Sequence, residues 1–369
     1  MARNRVIYQS EALYVSENAG STSVDKHEQL TRVQSANYNF TINRQDVNEF
    51  GQLARIDSII MDAPTVGLDF TYYPTDGTNE RALGFNVGGA AQFASGHLIQ
   101  SSGKNFYITT TAEGSDAVGI HGENINSVIG LGNAFLTDYT LDLAVGSLPT
   151  VSVSMECANI NAETGGLTGA GQISGVTLPS VDITDGTVFV GDATLPTAAK
   201  TADSEVSALR PGDVLINISD LDGVTISDID STGTEESIHI QSASLSIPLG
   251  RSPIQRLGTR YAYARTVDFP VNATLSVSAI VNDLTAQNLS TIINDADTQT
   301  VTLTLKDVDG GNAMIYTLSG CKLDSESFSS SIGSNKTVDL TFSTQIGGNN
   351  DTANGVFLSA SGADAVFTA

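Results

Sequence analysis

One stretch of this chain occurs twice. Val33-Gln34-Ser35-Ala36-Asn37-Tyr38 returns as Ile240-Gln241-Ser242-Ala243-Ser244-Leu245, at an ungapped offset of 207 (241 − 34). Arg44 then falls on Arg251, Phe50 on Leu257 and Gly51 on Gly258. Further along, Leu136, Gly146, Thr150 and Val151 match Leu323, Gly333, Thr337 and Val338 at an offset of 187 (333 − 146). A spacing of this size is far beyond a solenoid period of roughly 20–50 residues. The chain therefore folds as two like domains, and two like domains can stand as two subunits of a ring.

Period-2 alternation dominates both copies and predicts strands with one buried face. Ala36, Tyr38, Phe40 and Ile42 point one way, and Asn37, Asn39 and Thr41 the other. The second copy keeps this with Ala243, Leu245, Ile247 and Leu249 against Ser244, Ser246 and Pro248. Val66, Leu68, Phe70 and Tyr72 correspond to Ala273, Leu275 and Val277, each run preceded by a proline, Pro64 or Pro270. Phe106 and Ile108 correspond to Val301, Leu303 and Leu305. Val151, Val153 and Met155 correspond to Val338, Leu340 and Phe342. The expected class is all-β with minor helix, as two tandem β-sandwich or barrel domains. The best helix candidate is 283–293, with Leu284, Leu289, Ile292 and Ile293 on one face.

The expected organisation is a first domain over 1–160, a linker or arm over 161–210, a second domain over 211–348 and a C-terminal arm over 349–369. The 161–210 stretch is rich in Gly, Thr, Ser and Asp, and Gly165, Gly166, Gly169 and Gly171 mark loops. Pro211-Gly212-Asp213 turns into Val214-Leu215-Ile216-Asn217-Ile218, the first strand of the second copy. Its counterpart is either Val6-Ile7-Tyr8 or Ala12-Leu13-Tyr14-Val15.

With 369 residues and 40% hydrophobic content, the chain can bury real cores. No apolar run reaches membrane-spanning length. Gln9, Ser10 and Glu11 interrupt the start too early for a secretory block, so the expectation is assembly in a cytoplasm. The two cysteines, Cys157 and Cys321, read as reduced, partly buried residues in roughly corresponding parts of the copies. The net charge of −24 disfavours nucleic-acid binding, which needs Lys and Arg to displace counterions.

Catalytic constellations are not found. His27, His97, His121 and His239 have no metal spacing. Asp220-Leu221-Asp222-Gly223, Asp228-Ile229-Asp230 and Asp307-Val308-Asp309-Gly310-Gly311 look like the start of calcium loops. Position twelve, however, is His239 counted from Asp228 and Leu318 counted from Asp307, where a bidentate glutamate is required. Hairpin turns explain these segments better. The sequence therefore predicts no enzyme, no cofactor and no metal. The duplicated positions Arg44, Asn48, Phe50 and Gly51, with Arg251, Gln255, Leu257 and Gly258, are the candidate assembly-interface residues. Each set ends in a glycine free to take positive φ.

The run Arg32-Val33-Gln34-Ser35-Ala36-Asn37-Tyr38, the run 45–57 beginning Gln45-Asp46-Val47-Asn48-Glu49-Phe50-Gly51, and the continuation Ala63-Pro64-Thr65-Val66-Gly67-Leu68-Asp69-Phe70-Thr71-Tyr72-Tyr73 resemble the major tail tube proteins of phages. The resemblance implies tube-like domains whose strands join a continuous barrel around a lumen. Because this chain carries two copies, it also implies trimeric, pseudo-hexameric rings that stack into a DNA-ejection conduit. The implied partners are further copies of the chain, tail terminator and distal tail or baseplate proteins, and tape measure protein and phage DNA in transit, with no membrane. The implied location is the virion tail, assembled in the host cytoplasm. A competing expectation is a phage fibre or other carbohydrate- or receptor-binding β-sandwich, which the absence of tryptophan and the 6% aromatic content supply poorly.

Overall fold

The computed structural model describes residues 11–88, 91–111, 117, 125–164, 172–183, 185–196, 208–219, 229–230, 238–259, 261–281, 298–307, 309–331 and 335–361. The chain is all-β with little helix. The first copy contains β1 (Glu11–Ser16), β2 (His27–Gln29), β3 (Val33–Thr41), β4 (Arg44–Val47), β5 (Asp57–Ile60) and β6 (Thr65–Tyr72). Two short helices, α1 (Thr78–Leu83) and α2 (Ser95–Leu98), precede β7 (Lys104–Thr111), β8 (Ile125–Ala144), β9 (Thr150–Cys157) and β10 (Asn159–Thr164). A hairpin of β11 (Gln172–Thr177) and β12 (Asp192–Pro196) follows. The second copy contains β13 (Val214–Ser219), β14 (Ile229–Asp230), β15 (Ile238–Pro248), β16 (Arg251–Ile254), β17 (Ala264–Val267) and β18 (Val271–Val281). It ends with β19 (Gln299–Lys306), β20 (Asn312–Ser329), β21 (Thr337–Ile346) and β22 (Gly355–Ala360). The helix expected over 283–293 lies outside the described residues.

Strand registers repeat between the copies, bulges included. On β3 and β6, Val33 faces Tyr72 and, after a bulge, Ser35 faces Thr71. On β15 and β18, Ile240 faces Ala279 and, after the same bulge, Ser242 faces Ser278. Both members move by 207. On β8 and β9 the bulge separates Leu136–Met155 from Asp138–Ser154; on β20 and β21 it separates Leu323–Phe342 from Ser325–Thr341. Both members move by 187. The pairs Leu68–Met155 and Leu275–Phe342 tie the two offsets together. The one-residue slip at Pro64 and Pro270 therefore falls before the strand and leaves its register intact. Tyr14 and its neighbours on β1 pair with β7 as Ile216 and Ile218 on β13 pair with β19, which selects Ala12-Leu13-Tyr14-Val15 as the first-copy counterpart.

Each copy folds its longest strand across two sheets. The first part of β8 pairs with β7 and β10, and its last part with β9. The equivalent β20 pairs first with β19 and β22, then with β21. The bend sits at Asn133 (φ 53°) and at its counterpart Gly320 (φ 66°). Asn tolerates this left-handed backbone better than other side chains. Asn133 is further fixed because its Oδ1 accepts from the Val181 amide at 2.8 Å. Apolar residues between the sheets form one core that runs through both copies, from Leu68, Phe70 and Val153 to Leu275, Leu340 and Phe342.

The stretch expected as a linker, 161–210, supplies the end of β10 and the β11–β12 hairpin. Ile173, Val176, Leu178 and Leu195 form a second small core with Ala12, Tyr14 and Tyr107. A Cβ at Gly130 would lie 3.0 Å from Pro179, so glycine there lets this segment rest on β8. Within the stretch expected as a C-terminal arm, 349–369, β22 pairs with β20 as β10 pairs with β8, and Val356 and Leu358 are buried. Cys157 and Cys321 are free and fully buried, and burial pushes both thiols up to about 12. Their correspondence is looser than the sequence suggests: the registers place Thr344, not Cys321, at the counterpart of Cys157.

Candidate functional site: a shared seam, two open edges and a polar face

The two copies join by direct strand pairing. The central sheet runs β3-β6-β9-β8-β15-β18-β21-β20, so β15 of copy two pairs directly with β8 of copy one. Leu245 lies opposite Leu141, Ser244 opposite Asp142 and Ile247 opposite Tyr139. The seam is apolar on the core side and hydrogen-bonded on the other, where Ser244 Oγ donates to Asp142 Oδ1 at 2.6 Å.

Arg251 locks this seam from its flank. Its guanidinium donates to the carbonyls of Leu136 (3.1 Å), Arg265 (3.0 Å) and His97 (2.8 Å) and sits 5.1 Å from the centre of the Phe135 ring. Burial pulls its pKa down to about 10, which leaves it charged at neutral pH. The chemistry is a cation on carbonyl dipoles and an aromatic face. The sequence marked Arg251 only as a candidate assembly-interface residue.

Residues 77–88 and 91–98, from a stretch longer in copy one, wedge into the same seam. Phe85 and Phe93 stack at 4.0 Å, and both meet the Tyr139 ring edge-on. The Phe93 amide donates to the Val356 carbonyl of copy two at 2.6 Å. Beneath them, α1 delivers Glu80 into a buried cluster. Tyr72 and Tyr139 donate to Glu80 Oε1 at 2.8 and 3.3 Å, and the Tyr139 and Tyr316 hydroxyls lie 2.7 Å apart. Nothing in the strand alternation signals this cluster, because Glu80 reads as a solvated helix residue.

Desolvation pushes the Glu80 carboxyl up to about 7, against a partial pull downward by the Tyr72 hydroxyl. Its folded state therefore holds the proton more tightly than an unfolded chain does. The resulting stabilisation is complete below the unfolded value of 4.5 and is lost as pH rises through 7. We expect it to be worth about 3 kcal/mol. Urea unfolding of wild type and Glu80→Gln from pH 4.5 to 7.5 measures it. Wild type should lose stability relative to Glu80→Gln as pH rises over this range; a constant difference would refute the assignment.

The candidate interface residues separate into bases and tips of two equivalent hairpins. Arg44 pairs with Ile60 at the base of β4–β5 as Arg251 pairs with Val267 at the base of β16–β17. At the tips, Phe50 and Leu257 are each fully exposed, beside Gly51 (φ 97°) and Gly258 (φ 90°). Asn48 and Gln255 are exposed on the same tips. The structure thus brings each tip trio together and leaves the two arginines in different surroundings.

Equivalent positions differ in burial in one consistent way. Tyr38 and Phe40 on β3 are 43% and 58% exposed, whereas Leu245 and Ile247 on β15 are 1% and 0% exposed. Ile60 is 48% exposed and its counterpart Val267 6%. At the opposite end, Phe328 on β20 is 49% exposed and its counterpart Leu141 on β8 is buried. Leu245, Ile247 and Val267 of copy two are thus covered where their counterparts in copy one are exposed.

The side of the central sheet away from the core is mostly polar, with Ala144, Pro248 and Ile280 as its apolar positions near the margins. Its alternate positions are Ser35, Asn37, Asn39 and Thr41 on β3, then Thr65, Gly67, Asp69 and Thr71 on β6, continuing through Ser152 and Ser154, Asp138, Thr140 and Asp142. Copy two adds Ser242, Ser244 and Ser246, Thr274, Ser276 and Ser278, Asp339 and Thr341, Ser325, Ser327 and Ser329. None of these positions is basic; Lys322 stands on the same face, opposite Ser343 in the row of Thr274, Ser246 and Thr140. Their side chains bond across strands, with Ser154 Oγ donating to Asp69 Oδ1 at 2.7 Å and Ser35 and Thr71 hydroxyls 2.8 Å apart. At the margin, Arg265 ion-pairs with Glu156.

Among the described residues no group of three or more His, Cys, Asp or Glu could hold a metal ion. The Asp307 loop is a turn: Asp307 Oδ1 accepts from the Asp309 and Gly311 amides at 3.0 and 2.8 Å, and Gly310 has φ 85°. Asp220, Asp222, Asp228 and His121 lie outside the described residues. His97 is buried, His27 bonds the Ser23 carbonyl at 2.8 Å, and His239 is exposed.

No protein-family model matches the chain, and no curated protein matches it. Among solved structures, it is similar to a chain of the PVC sheath-tube complex, an extracellular contractile injection system in its extended state. That similarity has 9% identity and a TM-score of 0.32, and covers 44% of this chain and 95% of the other. It is also similar to a chain of the anti-feeding prophage baseplate, at 10% identity and a TM-score of 0.30, covering 43% of this chain and 96% of the other.

Proposed function

We propose that this chain is a structural tube subunit: three chains close into a ring of six copies, and rings stack into the conduit of a phage-type tail. The observation that carries the reading is the open-ended central sheet, in which one copy already completes another edge to edge. A sheet that ends in an exposed first strand and an exposed last strand is a head-to-tail module, and such a module forms a ring when its rotation closes. Closure also removes the edges, which would otherwise recruit other chains indiscriminately. Three chains bring 24 strands (3 × 8) to the barrel. The polar sheet face then lines the lumen, and a wall dominated by hydroxyls and carboxylates, with Lys322 at its margin, offers a DNA polyanion few cations to exchange. The hairpin tips, each with one exposed apolar side chain, face the next ring. Tail terminator, distal tail or baseplate and tape measure proteins are the further partners of this reading.

Native mass measurement and electron microscopy of the purified protein test it. The expected species are rings whose mass is a multiple of three chains, and tubes of stacked rings. Phe50→Ser with Leu257→Ser should shorten tubes while leaving unfolding within about 0.5 kcal/mol of wild type, because both side chains are solvated in the single chain. A protein that stays monomeric at high concentration, or closes as six chains with twelve copies, would overturn the reading.

A further inference from the structure

We propose that the junction between chains repeats the junction within the chain, in one defined register: residues 37–41 of β3 pair antiparallel with residues 325–329 of β20 in a second copy of this protein. The inference rests on the ring reading and names its contact. Inside the chain, Ser244, Leu245 and Ser246 lie opposite Asp142, Leu141 and Thr140. The β15 residues correspond to β3 at an offset of 207, and the β8 residues to β20 at 187, as the matching bulges establish. Carrying each pair over places Asn37 opposite Ser329, Tyr38 opposite Phe328 and Asn39 opposite Ser327.

Three independent features agree with this partner. Tyr38 and Phe328, at opposite ends of the sheet, are both half exposed, and the register sets them face to face as an aromatic pair. Ile60 and Arg44 are exposed where Val267 and Arg251 are covered by the neighbouring copy, so the same neighbour covers the hairpin base. The polar rows meet polar rows: Asn37 and Asn39 continue onto Ser329 and Ser327, which keeps one face apolar and the other hydroxyl-lined around the seam. The two seams also differ. Phe40 meets Glu326 where Ile247 meets Tyr139, and Lys322 stands where Phe135 seats Arg251. A charge on an edge strand guards it against unspecific pairing before assembly. The chain-to-chain seam is therefore the more reversible of the two.

Cysteine pairs in the full chain read the register. Directly opposed strand residues bring their Cα atoms within the roughly 4.4–6.8 Å that a disulfide spans. A two-residue slip adds about 7 Å and prevents it. Native Cys157 and Cys321 are buried and do not compete. Oxidised rings of Asn37→Cys/Ser329→Cys, and of the second in-register pair Asn39→Cys/Ser327→Cys, should give covalent dimers and trimers on denaturing gels. The off-register pair Asn37→Cys/Ser327→Cys should cross-link at least about tenfold more slowly. Should one in-register variant fail to fold, the other still reports. Rings that form yet cross-link only off-register, or in neither in-register pair, would overturn the register and leave the tube reading standing. Wild-type protein that forms no rings would overturn both.

Discussion

Arg251→Ala should cost the isolated chain about 4 kcal/mol, while Arg44→Ala at the equivalent position should cost under about 0.5 kcal/mol. The substitution at 251 removes three hydrogen bonds from a charged donor and leaves the carbonyls of Leu136, Arg265 and His97 buried without it. Hydrogen bonds to charged groups contribute about 1.5–3 kcal/mol each, and the Phe135 ring loses its cation as well. Part of this returns, because removing a buried charge also removes its desolvation cost. Arg44 is exposed in the single chain and has no such network to lose. In the proposed ring it stands over the neighbour's β20 bulge, so Arg44→Ala should weaken assembly at unchanged single-chain stability. Urea midpoints below the assembly concentration, followed by the ring fraction above it, separate the two effects. Equal destabilisation of the single chain by both substitutions would contradict the asymmetry.

If the proposed tube is right, Asp69→Lys/Asp142→Lys/Asp339→Lys should convert a wall that does not bind DNA into one that binds it tightly at low salt. Each change replaces −1 by +1, which places nine lysines (3 × 3) on the inner face of each ring. Every phosphate neutralised steepens the dependence of log K on log salt by about 0.9, so six or more contacts give a loss of affinity of about a thousandfold or more between 50 and 200 mM salt. Ser154 and Ser244 lose their carboxylate acceptors, at about 1 kcal/mol each, so the variant should still fold. The same change of charge at exposed acidic residues away from the sheet face and the hairpin tips, Asp185→Lys/Asp192→Lys/Asp309→Lys, controls for charge alone. Micromolar binding of duplex DNA by wild-type tubes, falling steeply with salt, would remove the conduit reading and point to a nucleic-acid-binding role.

Much of the fold was legible because its signals are local and repeated. Alternation at Ala36, Tyr38 and Phe40 marks β3 without reference to any other strand. The offsets of 207 and 187 proved to be register statements, since a bulge carried by both copies at the same place keeps every later residue in phase. The tips at Phe50 and Leu257 were legible for the same reason: a glycine following an apolar residue between paired runs has the same turn to make in both copies. Glu80 was not legible, because a glutamate on a short helix looks solvated until Tyr72, Tyr139 and Tyr316 arrive from three separate strands. Gly130 and Gly132 were a missed signal. Two alternate glycines within a strand mark a close backbone approach, and the 172–196 segment makes it.

The sequence by itself determined that this is a duplicated all-β chain with a hydroxyl-rich face and little basic charge, because periodicity and charge are properties of neighbours along the chain. Only the tertiary structure decided what each duplicated residue experiences. Arg44 and Arg251 are the same residue in the same turn, yet one is solvated and the other holds three carbonyls. The physical reason is that burial depends on what lies across a strand edge: the β15 edge of the second copy is covered by the first copy, whereas the equivalent β3 edge of the first copy ends the sheet.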